Sequence, residues 1–129
     1  MKNAVDVYVP DGYKPKKSER EVAWILARHY KTLVRIIRPA NKFKIKSADY
    51  LIDNVEYELK TPESNKVEKV KARIREGSHQ SRVIIVYSKK TKILDKRMIE
   101  IIRESLREIK VARRIILVQK NKKVLEFLK

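Results

Sequence analysis

The chain has 129 residues, of which 33 are Lys or Arg and 16 are Asp or Glu, so its formal net charge is +17. It has no cysteine, which excludes disulfides and thiolate zinc sites, and only two glycines, which excludes a glycine-rich phosphate loop. No segment has the length and apolar character of a membrane-spanning helix or a signal-peptide core.

The length fits one domain with a real core, and basic residues are spread through most of the chain rather than gathered in a tail. Such a charge indicates a folded domain that faces a polyanion, and nucleic acid is the first expectation because Lys and Arg neutralise phosphates. A lysine-rich thermophile surface is an alternative, but it should raise Glu about equally. We expect residues 1–17 to form a leader or an edge strand and residues 18–129 to form the domain.

The first predicted helix runs from about Ser18 to Thr32, with Ser18 as its N-cap and Glu21 as the capping-box partner. Glu19 lies at helical spacing from the apolar residues that follow it, so its carboxylate is expected on the buried side of this helix. The apolar segment Leu33–Arg38 then predicts the first central strand.

The stretch 46–60 predicts a β-hairpin, because β-branched and aromatic residues flank Asp53-Asn54, a pair suited to a tight two-residue turn. Such a turn places Tyr50 opposite Tyr57. One face then carries the side chains of a core wall, which are Tyr50, Ile52, Val55, Tyr57 and Leu59. The other face carries Asp49, Leu51, Glu56, Glu58 and Lys60.

On that second face the predicted pairing sets the carboxylates of Asp49 and Glu58 directly opposite each other, which is destabilising unless something neutralises them. A divalent cation would do so, since hard cations bind carboxylate oxygens. Lys60 could then orient a water or stabilise charge that develops on a phosphate. The pattern predicts a metal-dependent phosphodiester site, and the alternative is an ordinary charged solvent face. Glu56 is interpreted as a surface or supporting residue and Asp53 as a turn residue.

Basic residues surround the hairpin on both sides in sequence. Before it, lysines alternate around an aromatic residue, which suits a nucleic-acid-binding strand or, equally, a solvated strand edge. After it, a helix capped by Ser64 or Asn65, with Glu68 in capping-box position, has a thin apolar stripe and a cationic outer side. Gly77 is expected as its C′ residue. The predicted nucleic-acid contacts are Lys42, Lys44, Lys46, Lys66, Lys69, Lys71 and Arg73.

The last part of the chain predicts a strand buried on both faces over Arg82–Tyr87 and a third helix that Asp95 caps, to about Lys110. Two strands follow, over Arg114–Gln119 and Val124–Leu128. The order is helix, three strands, helix, strand, helix, two strands. It predicts an α/β fold in a single domain, with a mixed central β-sheet flanked by helices.

This order and the acidic positions resemble the PD-(D/E)XK nuclease superfamily, whose restriction-endonuclease-like core is αβββαβ. Its signature is an acidic residue on the second strand and (D/E)-x-K on the third, often with a Glu in the first helix. The matching residues are Asp49, Glu58-Leu59-Lys60 and Glu19.

Within the superfamily, the segments 18–23, 48–52 and 57–62 look most like the C-terminal tRNA-nuclease domains of contact-dependent growth inhibition CdiA toxins. In those domains a proline usually precedes the motif aspartate, where this chain has Ala48. They also often carry a Gln near the end of the second helix, and Gln80 corresponds to it as a supporting residue.

The resemblance implies a divalent-metal-dependent endonuclease, a hydrolase of phosphodiester bonds with RNA, in particular tRNA, as the favoured substrate. Asp49 and Glu58 would bind the metal, Glu19 would support the site, and Lys60 would position the water or neutralise the transition state. Mg²⁺ is the default for oxygen ligands, and the family analogy also allows Mn²⁺ or Zn²⁺.

The resemblance leaves three alternatives open: a DNA endonuclease of the Holliday-junction resolvase type, a non-catalytic basic nucleic-acid-binding module, and a structural or regulatory domain that meets an acidic protein. A toxin of this kind would itself need a cognate immunity protein, which we expect to be acidic. It would act in the cytoplasm of a target cell, delivered or secreted as part of a larger protein and without membrane insertion.

Overall fold

The computed structural model of the protein describes residues 4–39 and 48–129. In chain order, its elements are β1 Asp6–Tyr8, α1 Lys17–Tyr30, β2 Leu33–Ile36, β3 Tyr50–Ile52, β4 Val55–Lys60, α2 Val67–Gly77, β5 Val83–Tyr87, α3 Asp95–Glu108, β6 Arg114–Val118 and β7 Val124–Leu128. The predicted element order from α1 onward and the mixed α/β class are confirmed. The chain divides into two compact units, Met1–Tyr57 and Glu58–Lys129.

The first unit is built around α1, which packs on β1 and β2. These two strands run parallel, so α1 is the crossover that joins them. Strand β2 pairs antiparallel with β3, and β3 pairs antiparallel with residues 55–57 of β4. The helical and strand periodicities set the core of this unit, which includes Val22, Ala23, Leu26, Ala27, Val34, Ile36, Tyr50 and Ile52.

Helix α1 begins before the predicted N-cap, because Lys16 rather than Ser18 occupies the cap position. The carboxylate of Glu19 accepts a hydrogen bond from the backbone N–H of Lys16 at 3.3 Å. The predicted pairing of Ser18 with Glu21 is therefore wrong, and Glu19 acts as the acidic member of the capping arrangement.

The β3–β4 hairpin has the predicted turn and register. Asp53 and Asn54 have φ angles of 48° and 66°, as a two-residue type I′ turn requires. Tyr50 pairs with Tyr57, Leu51 with Glu56, and Ile52 with Val55. Over residues 50–57 the predicted apolar face is buried except at Val55, which lies beside the turn.

In the second unit, residues 58–60 of β4, β5 and β6 run parallel, and β7 runs antiparallel to β6. Helices α2 and α3 are the crossovers between the parallel strands. Strand β5 is buried at every position, as its continuous apolar run predicts. The core of this unit includes Val70, Ile74, Ile84, Val86, Met98, Ile101, Ile102, Ile115 and Leu117.

The starts of α2 and α3 differ from the predicted caps. Lys66 is the N-cap of α2, without a side-chain cap bond, because the Oδ1 of Asn65 accepts the backbone N–H of Lys92 at 2.8 Å instead. The predicted capping box of Asn65 with Glu68 is therefore wrong. Leu94 is the N-cap of α3, so the predicted cap, Asp95, is wrong by one residue.

The predicted end of α2 is wrong as well. Gly77 is the last residue of the helix, and Ser78 caps it in right-handed helical geometry with φ −66°. A C′ glycine would have a positive φ, which Gly77 does not have. A left-handed turn therefore does not explain why residue 77 is a glycine. The predicted lysine contacts Lys42, Lys44 and Lys46 lie outside the described residues.

Candidate functional site

Two acidic side chains of the first unit, Glu19 and Asp49, form what we call the acidic pair. The backbone N–H of Asp49 donates to the carbonyl of Tyr57 at 3.0 Å, and its carbonyl accepts from the N–H of Ile37 at 2.9 Å. The hydroxyl of Tyr50 donates to the backbone carbonyl of Glu19 at 2.6 Å. These bonds fix the backbone of Asp49 and tie the first turn of α1 to β3.

The carboxyl group of Glu19 has an unusual environment. It is buried, and this burial is the largest cause of its raised pKa; the negative charge of Asp49 adds to the effect. The Tyr13 hydroxyl donates to Glu19 Oε1 at 2.8 Å, and this bond and the one from the Lys16 backbone oppose the rise. Burial and the hydrogen bond to Glu19 raise the pKa of Tyr13 to about 12, so Tyr13 remains a donor at neutral pH.

A second group lies in the second unit, and we call Glu58, Lys60, Glu76 and Gln80 the lysine cluster. The ammonium of Lys60 lies 3.5 Å from Glu58 Oε2 and 3.5 Å from Glu76 Oε1. The side-chain amide of Gln80 lies against the Glu58 carboxylate, and when its nitrogen is assigned to the side that faces Glu58 it can donate to Oε1 at 3.2 Å. The structure thus brings the Glu-x-Lys motif and Gln80 together.

The burial of this cluster decides between two interpretations of the hairpin's charged face. Glu58 is only 5% exposed and Lys60 only 7%. A solvated charged face would leave both in water, so that alternative is wrong at these two residues. Buried charges are costly unless they are paired, and here the ammonium of Lys60 has two carboxylate partners.

Gly77 explains how a lysine side chain can pass beneath α2. A Cβ at this position would lie 3.3 Å from Lys60 Cγ and 3.3 Å from Ile84 Cγ2, closer than ordinary contact. The glycine therefore provides room for the stem of Lys60 between the helix and β5. Its role is close approach rather than a left-handed turn.

The predicted basic side of α2 is only partly exposed to solvent. Lys66, Lys69 and Arg73 are exposed, although Arg73 pairs with Glu76 at 3.2 Å. Lys71 differs, because its ammonium lies 3.3 Å from Glu108 and 3.5 Å from Glu104 on α3. Desolvation lowers the pKa of Lys71, but the hydrogen bond to Glu108 and the two nearby carboxylates outweigh it and raise this pKa.

Sequence reasoning gave no role at these groups to Tyr13, Glu76 or Gly77, although it placed Gly77 at the end of α2. Tyr13 lies in an irregular segment where no periodicity places a side chain. Gly77 carried a usable signal, because a glycine at the end of a helix of long side chains marks either a turn or a close approach. If Gly77 marks a close approach of the Lys60 side chain, then Glu76, the carboxylate next to Gly77 in sequence, is the expected partner of the Lys60 ammonium.

The described residues contain neither a metal-binding cluster of three or more side-chain ligands nor a membrane-spanning helix. Within residues 4–39 and 48–129, no group of three or more His, Cys, Asp or Glu side chains has an arrangement that could hold a metal ion. In the same part of the chain, no helix combines the length and the apolar character needed to cross a membrane.

The fold and the two groups define a class: a basic, mixed α/β protein with a buried carboxylate–lysine pair on β4 and an amide side chain from the segment after α2. The family model described as the contact-dependent growth inhibition CdiA C-terminal domain matches residues 46–124. The match covers more than half of the chain, so the chain belongs to this family. The predicted relationship to CdiA toxin domains is thereby confirmed, whereas membership of the PD-(D/E)XK superfamily stays a prediction.

Among solved structures, the chain is similar to one from the CdiA-CT/CdiI toxin and immunity complex of Burkholderia pseudomallei. The TM-score is 0.73 at 15% sequence identity, and the alignment covers 96% of this chain and 99% of that chain. At this identity the likeness shows the fold. A search of curated proteins gave no match.

Proposed function

We propose that this chain is a metal-dependent nuclease that hydrolyses phosphodiester bonds in RNA, with tRNA as the favoured substrate, and that it acts as the toxin domain of a contact-dependent growth inhibition protein. The proposed catalytic residues are Glu19, Asp49, Glu58 and Lys60. The assignment of these four residues to one reaction rests on the sequence pattern, and the geometry of each group supports it separately.

The observation that carries the proposal is the burial of Glu58 and Lys60 with an amide donor on the same carboxylate. Replacing a buried ion pair by apolar side chains is often neutral or stabilising, so stability alone gives little reason for this cluster. A Glu-x-Lys pair held in this way is well suited to chemistry at a phosphate.

The reaction joins a water oxygen to phosphorus and breaks the bond from phosphorus to the leaving oxygen, which takes up a proton. Negative charge grows on the non-bridging oxygens as the water attacks. The Lys60 ammonium, whose stem is confined beside Gly77, can donate to those oxygens without first having to be ordered. Gln80 and Lys60 fix the orientation of the Glu58 carboxylate, which can accept a hydrogen bond from the attacking water.

Asp49 and Glu58 are the proposed metal ligands. Both offer only carboxylate oxygens, the donors that Mg²⁺ prefers, and Mn²⁺ or Zn²⁺ are the alternatives. A bound divalent ion would supply Lewis acidity at the phosphate and lower the pKa of a bound water. Glu19 is proposed to support this site, directly or through a water.

We further propose that the exposed cations of α2, Lys66, Lys69 and Arg73, contact the phosphate backbone of the substrate. They lie outside the buried cluster and contribute to an overall charge that favours polyanion binding. The same charge, together with the toxin and immunity complex in which the similar chain was solved, supports an acidic immunity protein as the cognate partner. The proposed site of action is the cytoplasm of a target cell.

The test compares digestion of tRNA, single-stranded DNA and a four-way DNA junction, with Mg²⁺, Mn²⁺ or Zn²⁺ and with EDTA. We expect tRNA to be cut with Mg²⁺ and left intact with EDTA. Lys60→Ala should slow cleavage by about 100-fold or more, as loss of a preorganised donor does elsewhere. Binding of the uncut substrate should change little, and Lys96→Ala, an exposed loss of the same charge, is the control.

Each other outcome selects a different function. Cutting of the four-way junction alone would indicate a junction resolvase. Tight, salt-sensitive binding without cleavage under any metal would indicate a non-catalytic module. Equal cleavage by Lys60→Ala and the parent would remove Lys60 from the mechanism.

A further inference from the structure

The second unit has an open groove between α3 and β7, at a place that the proposed nuclease chemistry does not use. Its volume is about 740 Å³. Arg103, Leu106 and Arg107 of α3 line one side, and Glu126, Phe127, Leu128 and Lys129 line the other. We call this feature the α3–β7 groove.

The apolar part of the groove is accessible from outside. Leu128 is 73% exposed, and Phe127 is half-buried beside it. The guanidinium of Arg103 lies over the ring of Phe127, 5.5 Å from its centroid. Because consecutive strand residues point to opposite faces, Phe127 faces α3 and Leu128 lies on the other side of β7. Each side of the strand therefore offers one apolar contact to an incoming segment.

Three of the four charged residues that line the groove are cationic, and the fourth, Glu126, lies 3.9 Å from Arg114. Arg103 and Arg107 lie four residues apart on the exposed side of α3 and therefore on one face of the helix. The ammonium of Lys129 is fixed at the end of α3, where it donates to the carbonyls of Ile109 at 2.5 Å and Lys110 at 3.2 Å. Each guanidinium can bind a carboxylate through two parallel hydrogen bonds.

The shape of the groove favours a protein segment over nucleic acid. Strand β7 is the last strand in the pairing order of the second unit, with β6 as its hydrogen-bonded neighbour. An edge strand offers backbone N–H and C=O groups to an extended peptide, whereas a nucleic acid cannot use them in register. The exposed Leu128 also matches an apolar side chain better than a sugar–phosphate backbone.

We propose that the α3–β7 groove binds an extended acidic segment of the immunity protein along β7. One apolar side chain of the segment lies against Phe127 on the α3 side, its neighbour lies against Leu128 on the opposite side, and carboxylates bind Arg103 and Arg107. This inference rests on the immunity partner proposed above. None of these groove residues belongs to the acidic pair or the lysine cluster. Substitutions in the groove should therefore weaken partner binding and leave the rate of cleavage unchanged.

The experiment titrates the purified product of the adjacent reading frame into the full chain by calorimetry. The double variant Arg103→Glu/Arg107→Glu should weaken the dissociation constant by about 100-fold, and Leu128→Ser by about tenfold, as losses at an interface hot spot do. The control Lys96→Glu/Lys123→Glu changes the charge equally at exposed positions of the same unit and should have less than a threefold effect, as expected for charges outside an interface.

Three readouts separate the outcomes. Circular dichroism should show an unchanged fold, and tRNA cleavage should keep the parent rate in the groove variants. Tight binding of the parent with no difference between groove and control variants would overturn the groove but leave the immunity partner in place. Absence of binding by the parent would overturn both. A selective loss of tRNA binding in the groove variants would assign the groove to RNA and overturn the inference.

Discussion

At the scale of single residues, Glu19 is the group whose environment most clearly conflicts with its charge. It is a buried carboxylate beside Asp49, and burial raises its pKa. The folded state therefore favours the protonated form more than the unfolded state does. The stability that this group contributes is full below the unfolded pKa and is lost as the pH rises through the higher folded pKa.

Glu19→Gln imitates the protonated carboxyl at every pH and keeps an oxygen that can accept from Tyr13. We expect it to raise the melting temperature at pH 7–8 by a few degrees, because the variant carries no charge into the buried site. The gain should vanish at a pH below the ordinary carboxyl pKa, where the parent is protonated too. Melting curves from pH 3.5 to 8 would measure it.

Glu68→Gln is the matched control, since Glu68 is an exposed carboxylate in the first turn of α2. Removing its charge there should slightly lower stability, because a helix N-terminus favours negative charge. The same Glu19→Gln variant should also lose cleavage if Glu19 supports catalysis, a gain in stability at the expense of function. A melting temperature below the parent at pH 8 would contradict the burial argument.

The sequence predicted the burial of Glu19, but it did not predict the hydrogen bond from Tyr13 or the burial of Lys60. The buried position of Glu19 follows from helical spacing and was predicted correctly. Its hydrogen bond from Tyr13 was not, because Tyr13 lies in an irregular segment. The burial of Lys60 was also missed, because period-two alternation gives the face of a side chain but not the helix that covers it.

At the scale of elements, the crossing of α2 over the Lys60 stem depends on Gly77. Gly77→Ala would add helix propensity of up to about 1 kcal/mol, but its Cβ would crowd Lys60 and Ile84. We expect a stability change below about 1 kcal/mol. We also expect a clear loss of cleavage, because the flexible Lys60 side chain shifts more easily than the packed side chain of Ile84. Gly77→Val should lose both stability and cleavage.

The control for Gly77→Val is Ala72→Val, which puts the same β-branched side chain at an exposed position of α2. It should lose only the helix-propensity difference, about 0.5 kcal/mol or less, and keep the parent cleavage rate. Thermal melting and single-turnover cleavage would be measured on all three variants. Full activity in Gly77→Val would mean that the position of Lys60 does not depend on Gly77.

Element-scale prediction succeeded where local chemistry decides and failed where distant contacts compete. The turn at Asp53-Asn54 needs positive φ at both residues, which this pair tolerates, so the hairpin register was predicted correctly. The cap of α2 was predicted wrongly, because the side chain of Asn65 accepts a hydrogen bond from the backbone N–H of Lys92, far along the chain. A capping motif is a local signal that a tertiary hydrogen bond can override.

At the scale of the whole molecule, the net charge of +17 predicts salt-sensitive binding to RNA, but its lysines do not contribute equally. Lys66 and Lys69 are exposed on α2, whereas the ammonium of Lys71 is paired with Glu104 and Glu108. A lysine that already has carboxylate partners would have to give them up to neutralise a phosphate. Its contribution to counterion release should therefore be smaller.

The comparison is made with Lys66→Ala, Lys69→Ala and Lys71→Ala, each titrated with uncleaved tRNA in EDTA over a range of salt concentrations. We expect each of the first two to flatten the slope of log affinity against log salt by about 0.7–0.9, the value for one phosphate contact. Lys71→Ala should leave the slope near that of the parent and lower the melting temperature instead, because α2 and α3 lose an ion-pair link. Equal slope changes in all three variants would show that Lys71 leaves its acidic partners for RNA, and the contact surface would then extend along α2 toward α3.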